Sequence, residues 1–328
     1  MKEQGQKNQK GQQKKQGMSN SSSFSNAHHN SNHNPASYNP GHRHGHRSIH
    51  HNNANGNAPP TQQSMQTFNN NNSMRSMATS STSNNTKSIG LQQIEYRSEN
   101  SQGAVPAFIS THTSQKYAIV VIQEWWGAEE RLQRLALQWF TAQNPHSQHN
   151  YTVLVPDLYR GKVTDDREEA GHLMENLDFE GAVQDIRGAV QFLKNDLGFE
   201  RVGVVGFCMG GALSLASAVH VNELDAAAVF YGIPDASFAP AGKINIPLQL
   251  HFGQSDDMKG FSDPESANKL EEALQDGSVQ YKMYRYDNAG HAFSNSTHHS
   301  NKDEKKASDM AQKRVVEFFD ATVASQQQ

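Results

Sequence analysis

The chain has 328 residues but only one cysteine, and that cysteine stands where its chemistry would count. Gly206-Phe207-Cys208-Met209-Gly210-Gly211 follows the apolar run 202–205 and opens the helix-like stretch 212–219. This is glycine, any residue, nucleophile, any residue, glycine, in the strand–turn–helix order that a nucleophile elbow requires. Glycines two before and two after the cysteine remove side chains that would strike the neighbouring strand and helix in so tight a turn. A thiol at a helix N-terminus also sits where the dipole favours the thiolate. Elsewhere a lone cysteine would read as a small buried hydrophobe; in this elbow Cys208 reads as a nucleophile. The glycine spacing fits neither GxGxxG nor GxxxxGK[ST], so a phosphate loop is not indicated.

A nucleophile needs a base and a group that orients the base. Downstream, the apolar run Leu250-His251-Phe252 ends in Gly253-Gln254-Ser255-Asp256-Asp257, which puts a carboxylate in the loop beyond a strand. Next comes Tyr286-Asp287-Asn288-Ala289-Gly290-His291, a strand followed by Gly-His. The order nucleophile, acid, histidine is that of a hydrolase built on such an elbow. Cys208, Asp256 and His291 are therefore the expected triad. Asp257 stands as the alternative acid. His251 falls inside a strand and reads as a core residue, and His298 and His299, in a polar Ser/Asn/His stretch, are expected in solvent.

Such a triad needs rigid elements beneath it. Residues 116–123 (KYAIVVIQ) form a continuous β-branched run, as in a strand buried on both faces. Residues 152–155, 202–206, 226–231 and 247–252 repeat that character, and 279–286 alternates more. Helix-spaced apolar residues lie between them over 129–143, 179–193, 262–274 and 305–319. Strands alternating with helices predict βαβ units and a mostly parallel sheet flanked by helices, in one α/β domain over 91–328.

Residues 1–90 differ in kind. They hold nine Lys/Arg against one acid (Glu3), leaving 20 basic and 32 acidic residues in the rest, for an overall charge of −4. Runs of Asn, Ser, Gln and His leave too little apolar surface to offset ordering entropy, so this segment is predicted to be a disordered low-complexity tail. Its eight histidines (28, 29, 33, 42, 44, 46, 50 and 51) could chelate Zn²⁺, Ni²⁺ or Cu²⁺ weakly, though compositional drift explains them as well. With aromatics only at Phe24, Tyr38 and Phe68, nucleic-acid binding is not expected. No apolar run reaches the ~18–20 residues of a membrane helix, and no apolar segment follows the N-terminal lysines to make a secretory signal. The tail shares the basic, Ser-rich composition of a transit peptide but lacks its apolar face. One cysteine excludes an internal disulfide framework, and a reducing, cytoplasmic setting is expected.

On these residues the chain resembles the dienelactone hydrolase (carboxymethylenebutenolidase) family of the α/β-hydrolase superfamily. The likeness spans 91–325 and leaves the tail without a counterpart. Its carriers are Gln123-Glu124-Trp125-Trp126-Gly127, Val155-Pro156-Asp157-Leu158-Tyr159, the elbow 206–211, the stretch 251–256 and Ala289-Gly290-His291-Ala292-Phe293. The resemblance implies the α/β-hydrolase fold, a Cys208–His291–Asp256 triad and hydrolysis of esters or (enol-)lactones without cofactor or metal. It implies that Glu124 interacts with the resting cysteine and helps generate the thiolate. Backbone N–H groups of Trp125 and Met209 would form the oxyanion hole, Met209 being also the residue that elbow geometry selects. Trp126, Tyr159 and Arg160 are the expected substrate contacts. Two family arginines that bind a substrate carboxylate are displaced here. Arg160 follows Tyr159 directly rather than at two residues, and Asn295 replaces the one four residues after the histidine. The loop between Tyr159 and the helix at Phe179 also reads as shortened. A small-molecule ester or lactone is the expected partner. The alternative is a non-catalytic or redox- or metal-responsive protein on the same fold, with the tail as its binding element.

Overall fold

The computed structural model describes residues 90–111, 116–297 and 299–324. The tail, with its expected disorder and metal-binding histidines, and His298 lie outside these. In chain order the described residues form β1 (Leu91–Tyr96), β2 (Val105–Ser110), β3 (Tyr117–Ile122), α1 (Glu130–Phe140), β4 (Thr152–Pro156), α2 (Arg167–Glu175), α3 (Phe179–Gln191), β5 (Arg201–Phe207), α4 (Met209–His220), β6 (Ala226–Phe230), β7 (Leu248–Gly253), α5 (Pro264–Asp276), β8 (Tyr281–Tyr286) and α6 (Lys302–Thr322). A π-helical turn, Phe192–Asp196, extends α3.

The eight strands form one sheet in the order β1-β2-β4-β3-β5-β6-β7-β8. Pairings β1/β2 and β2/β4 are antiparallel, and the other five are parallel. Every residue of β3, β4, β6 and β7 is buried, which is why these strands read as unbroken apolar runs. β1 and β2 were not foreseen individually. β1 lies at the sheet edge with a half-exposed face, and its Gln-Gln-Ile-Glu composition carries little strand signal.

Helices cover the sheet by their apolar stripes. On α1 these are Leu132, Ala136, Leu137, Trp139 and Phe140. The Trp139 ring meets Phe207 edge-on at 5.5 Å, beneath the turn that follows β5. Asp166, Asp178, Asp263 and Asn301 cap α2, α3, α5 and α6, each accepting a hydrogen bond from a first-turn N–H. The stretch from Tyr159 to Phe179 is thus not bare loop. It contains α2, whose nine residues bury only Ala170 and so show little periodicity.

The order of connection locates the site. From β3 the chain passes through α1 to β4 on one side, then through α3 to β5 on the other. The strand order reverses at β3/β5, which opens a crevice at their C-terminal ends, where ligands bind in such sheets. Glu124 and Trp125 leave β3 there, and Cys208 leaves β5.

Candidate active site

Cys208 stands between β5 and α4 with φ 55° and ψ −118°, a strained conformation for a residue with a Cβ. The turn closes only because of what its neighbours lack. A Cβ on Gly206 would overlap the Gly210 carbonyl, and one on Gly210 would overlap the Gln123 carbonyl at the end of β3. Glycine at both positions lets the start of α4 lie directly against the backbone of 122–123.

Three side chains from three separate segments meet at the elbow. His291 Nε2 lies 3.2 Å from Cys208 Sγ, and His291 Nδ1 lies 2.9 Å from Asp256 Oδ2. Asp256 is buried in the loop after β7, and its Oδ1 accepts the Met258 N–H at 3.0 Å. Asp257, the alternative acid, is exposed and makes no hydrogen bond to His291. Burial works against a charged imidazole here. The negative charge of Cys208, with hydrogen bonds to Asp256 and to the sulfur, outweighs it and pushes His291 up to about 10. The ring thus has its Nε2 edge on the sulfur and its Nδ1 edge on a carboxylate.

The other expected residues divide. As the first residue of α4, Met209 has a backbone N–H that the helix leaves unspent. The Trp125 N–H, two residues past the carbonyl that Gly210 meets, donates to no backbone carbonyl among the described residues. Tyr159 is buried, and its hydroxyl donates to Met209 Sδ at 3.2 Å. Burial, then the charge of Cys208, raises its pKa. Trp126 packs edge-on against Trp125 with ring centroids 5.0 Å apart.

Two expected residues have other partners in this structure. Glu124 makes no hydrogen bond to Cys208 in this structure. Its buried carboxylate accepts instead from Arg131 (2.8 Å), Asn295 Nδ2 (2.8 Å) and, at 3.5 Å, the Tyr231 hydroxyl. Arg131 and Asn295 donate to the same oxygen, Oε2. The Arg160 guanidinium is engaged by a carboxylate of the chain itself. It forms a fork with Asp185 of α3, with N···O distances of 2.9 and 3.1 Å. That pair satisfies the charge of an aspartate that is otherwise buried.

His251 lies within β7, fully buried, between Tyr286 Oη (2.8 Å) and Gln249 Oε1 (2.9 Å), and stacks on Phe230. Burial keeps its pKa well below the usual histidine value. His299 is half-buried rather than in solvent, because its Nε2 lies 2.8 Å from the Phe293 carbonyl. Sequence reasoning missed Arg131, Tyr231 and Ser262. Arg131 lies one residue off the apolar stripe of α1, and Tyr231 ends an apolar run. Ser262 falls within the helix-spaced stretch 262–274, whereas α5 begins at Pro264 with Asp263 as its cap. That Asp-Pro pair was a legible start signal.

Among the described residues no group of three or more His, Cys, Asp or Glu is placed to hold a metal. No described helix is long and apolar enough to cross a membrane.

Comparison with known proteins matches residues 105–323 to the model of the dienelactone hydrolase family. Protein usf of Aquifex pyrophilus is 29% identical over 235 residues, covering 70% of this chain and 97% of its own length. The carboxymethylenebutenolidase of Rhodococcus opacus is 29% identical over 190 residues, 53% of this chain and 71% of its own. A dienelactone hydrolase-like promiscuous phosphotriesterase from metagenomic libraries superposes with a TM-score of 0.57, over 70% of this chain and 98% of its own. At 16% identity it is a likeness of fold.

Proposed function

This chain belongs to the dienelactone hydrolase family, which makes it a hydrolase of carboxylic esters or lactones, and we propose that it works through a Cys208–His291–Asp256 triad by way of an acyl-thioester. The observation that carries this reading is the unbroken line from Cys208 Sγ through His291 to Asp256, at 3.2 and 2.9 Å, at an elbow beside two available N–H groups.

The reaction begins with transfer of the Cys208 proton to His291 Nε2, which leaves a thiolate facing an imidazolium. The thiolate attacks the carbonyl carbon, and the oxygen that becomes negative is held by the N–H groups of Met209 and Trp125, an arrangement that contributes roughly 10²–10³ in rate. The tetrahedral intermediate collapses, the C–O bond breaks, and the departing oxygen takes the proton from His291 Nε2. The ring is left neutral, and acylation removes the negative charge that had raised its pKa, so it stays unprotonated and free to act as the base of the second half. It takes a proton from water, whose oxygen attacks the thioester. Collapse expels the Cys208 thiolate, releases the acid and restores the imidazolium.

Two physical arguments narrow the substrate. A thiolate leaves more readily than an ordinary alkoxide, so the first intermediate reverts unless the departing oxygen is stabilised, as in enol lactones, enol esters and aryl esters. Charge is the second. Arg131 is matched to Glu124 and Glu129, Arg160 to Asp185, and Asn295 spends its amide on Glu124. With these guanidiniums already paired to carboxylates, uncharged substrates are favoured over carboxylate-bearing ones. Tyr159, against Met209, and the Trp125–Trp126 pair that follows β3 would supply apolar contact surface.

The test is hydrolysis of enol lactones and aryl esters, in uncharged and carboxylate-bearing pairs, by the full chain and by Cys208→Ala. Loss of at least about 10³ in kcat/KM in the variant supports the reading. Equal activity in both proteins contradicts it.

A further inference from the structure

The imidazole nitrogen that Asp256 holds has a second partner. Ser262 is fully buried, and its Oγ lies 3.0 Å from His291 Nδ1, beside the 2.9 Å contact to Asp256. One compact turn delivers both groups. Met258 donates its N–H to Asp256 Oδ1 at 3.0 Å, and its carbonyl accepts from the N–H of Phe261 (3.1 Å) and of Ser262 (3.0 Å). The Phe261 ring, 6.1 Å from the His291 ring, completes this wall.

The chemistry sets the direction of the contact. An ionised carboxylate only accepts, so the proton between Asp256 and the ring belongs to Nδ1. Ser262 Oγ must then accept the same proton, in a three-centre bond. Among the described residues its hydroxyl has no other hydrogen-bond partner. Burying a hydroxyl carries a desolvation cost that alanine would avoid, so filling space gives no reason for serine here.

We propose that Ser262 is a positioning residue for His291, a neutral second acceptor that holds the ring in its Nδ1–H form and stabilises the imidazolium facing Cys208. The inference rests on the triad reading above. With one acceptor, the ring can swing about the Nδ1–H···O axis; with two, that swing is restrained, and Nε2 stays aimed between the sulfur and the reacting oxygen.

Because Cys208 is the sole cysteine, its alkylation by iodoacetamide reads the thiolate–imidazolium pair without any substrate. The experiment follows alkylation rate against pH in the full chain, in Ser262→Ala and in Ser262→Thr, with aryl-ester hydrolysis alongside. In Ser262→Ala the pH range over which the pair exists should narrow, each limb moving inward by about half a unit or more. The kcat should fall about 3- to 10-fold with KM little changed. Ser262→Thr, which keeps the hydroxyl, should retain the wild-type limbs.

Limbs in folded Ser262→Ala that coincide with wild type overturn the proposal, and so does a threonine variant that behaves like alanine. Should Ser262→Ala not fold, Ser262→Gly takes its place; if neither folds, the serine is structural and the proposal fails. If limbs shift with Ser262 while ester hydrolysis survives Cys208→Ala, the positioning role stands and the triad reading falls.

Discussion

Asp256 and Asp257 are adjacent in the chain, and only Asp256 touches the ring, 2.9 Å from His291 Nδ1. Exchanging Asp256 for Asn removes a charged acceptor from a buried contact. A hydrogen bond to a charged group is worth about 1.5–3 kcal/mol, and about 1.4 kcal/mol corresponds to one pH unit. The elevation of His291, now to about 10, should therefore fall by roughly one to two units. A second loss adds to it. An asparagine that turns its NH₂ toward Nδ1 favours the tautomer protonated at Nε2, which cannot take a proton from water. Together these predict a drop in kcat on the order of 10²–10⁴. Asp257→Asn should stay within about twofold, as befits an exposed side chain. The assay is aryl-ester kcat and kcat/KM from about pH 5 to about pH 10, where the alkaline limb of Asp256→Asn should move to lower pH. The reasoning is refuted if Asp257→Asn is the damaging change, or if Asp256→Asn leaves both rate and limb in place.

Three further outcomes follow from particular contacts. Gly206→Ala would drive a methyl group into the Gly210 carbonyl; urea unfolding should show a loss of about 3 kcal/mol, the upper end for overpacking, with slowed alkylation of Cys208. Glu124→Ala strips a buried carboxylate from Arg131, itself 22% exposed and still paired with Glu129. The loss should therefore sit near the lower end for a broken buried pair, about 3 kcal/mol, and a change under about 0.5 kcal/mol would refute it. His251 and His291 make opposite contributions to stability against pH. The folded-state pKa of His251 is depressed, so the unfolded chain takes the proton first and stability falls as pH drops through the ordinary value of 6.5. His251→Gln should flatten that acid slope. His291 is raised, so its contribution is complete below 6.5 and is lost as pH climbs toward about 10. Urea midpoints across this range check both signs, and an acid slope unchanged in His251→Gln counts against the first.

Much of the architecture could be read from the sequence because the parallel strands are buried on both faces. Such strands appear as apolar runs, as in 116–123 and 226–231, and the helices between them as spaced stripes. What escaped reading lay where burial is partial. β1 is a polar edge strand, and α2 buries only Ala170, so neither shows a strong period. At the site, Cys208 and His291 carried their own signals, a glycine-flanked turn and a strand followed by Gly-His. The positions of Glu124 and Arg160 were legible but their partners were not. Arg131 and Asp185 reach them through the fold, across seven and 25 residues of sequence. Ser262 was invisible for a related reason: a serine in a loop carries no pattern, and only the turn around Met258 brings it to the imidazole.

The central claim is that the Cys208 sulfur becomes acylated during turnover. Rapid-quench mass spectrometry of the full chain with an excess of a slowly deacylating aryl ester tests it most directly. The account predicts one added acyl group on the peptide containing Cys208, formed and lost at rates that match turnover, and none in Cys208→Ala. Turnover without an adduct on Cys208, at a rate that Cys208→Ala reproduces, would contradict it.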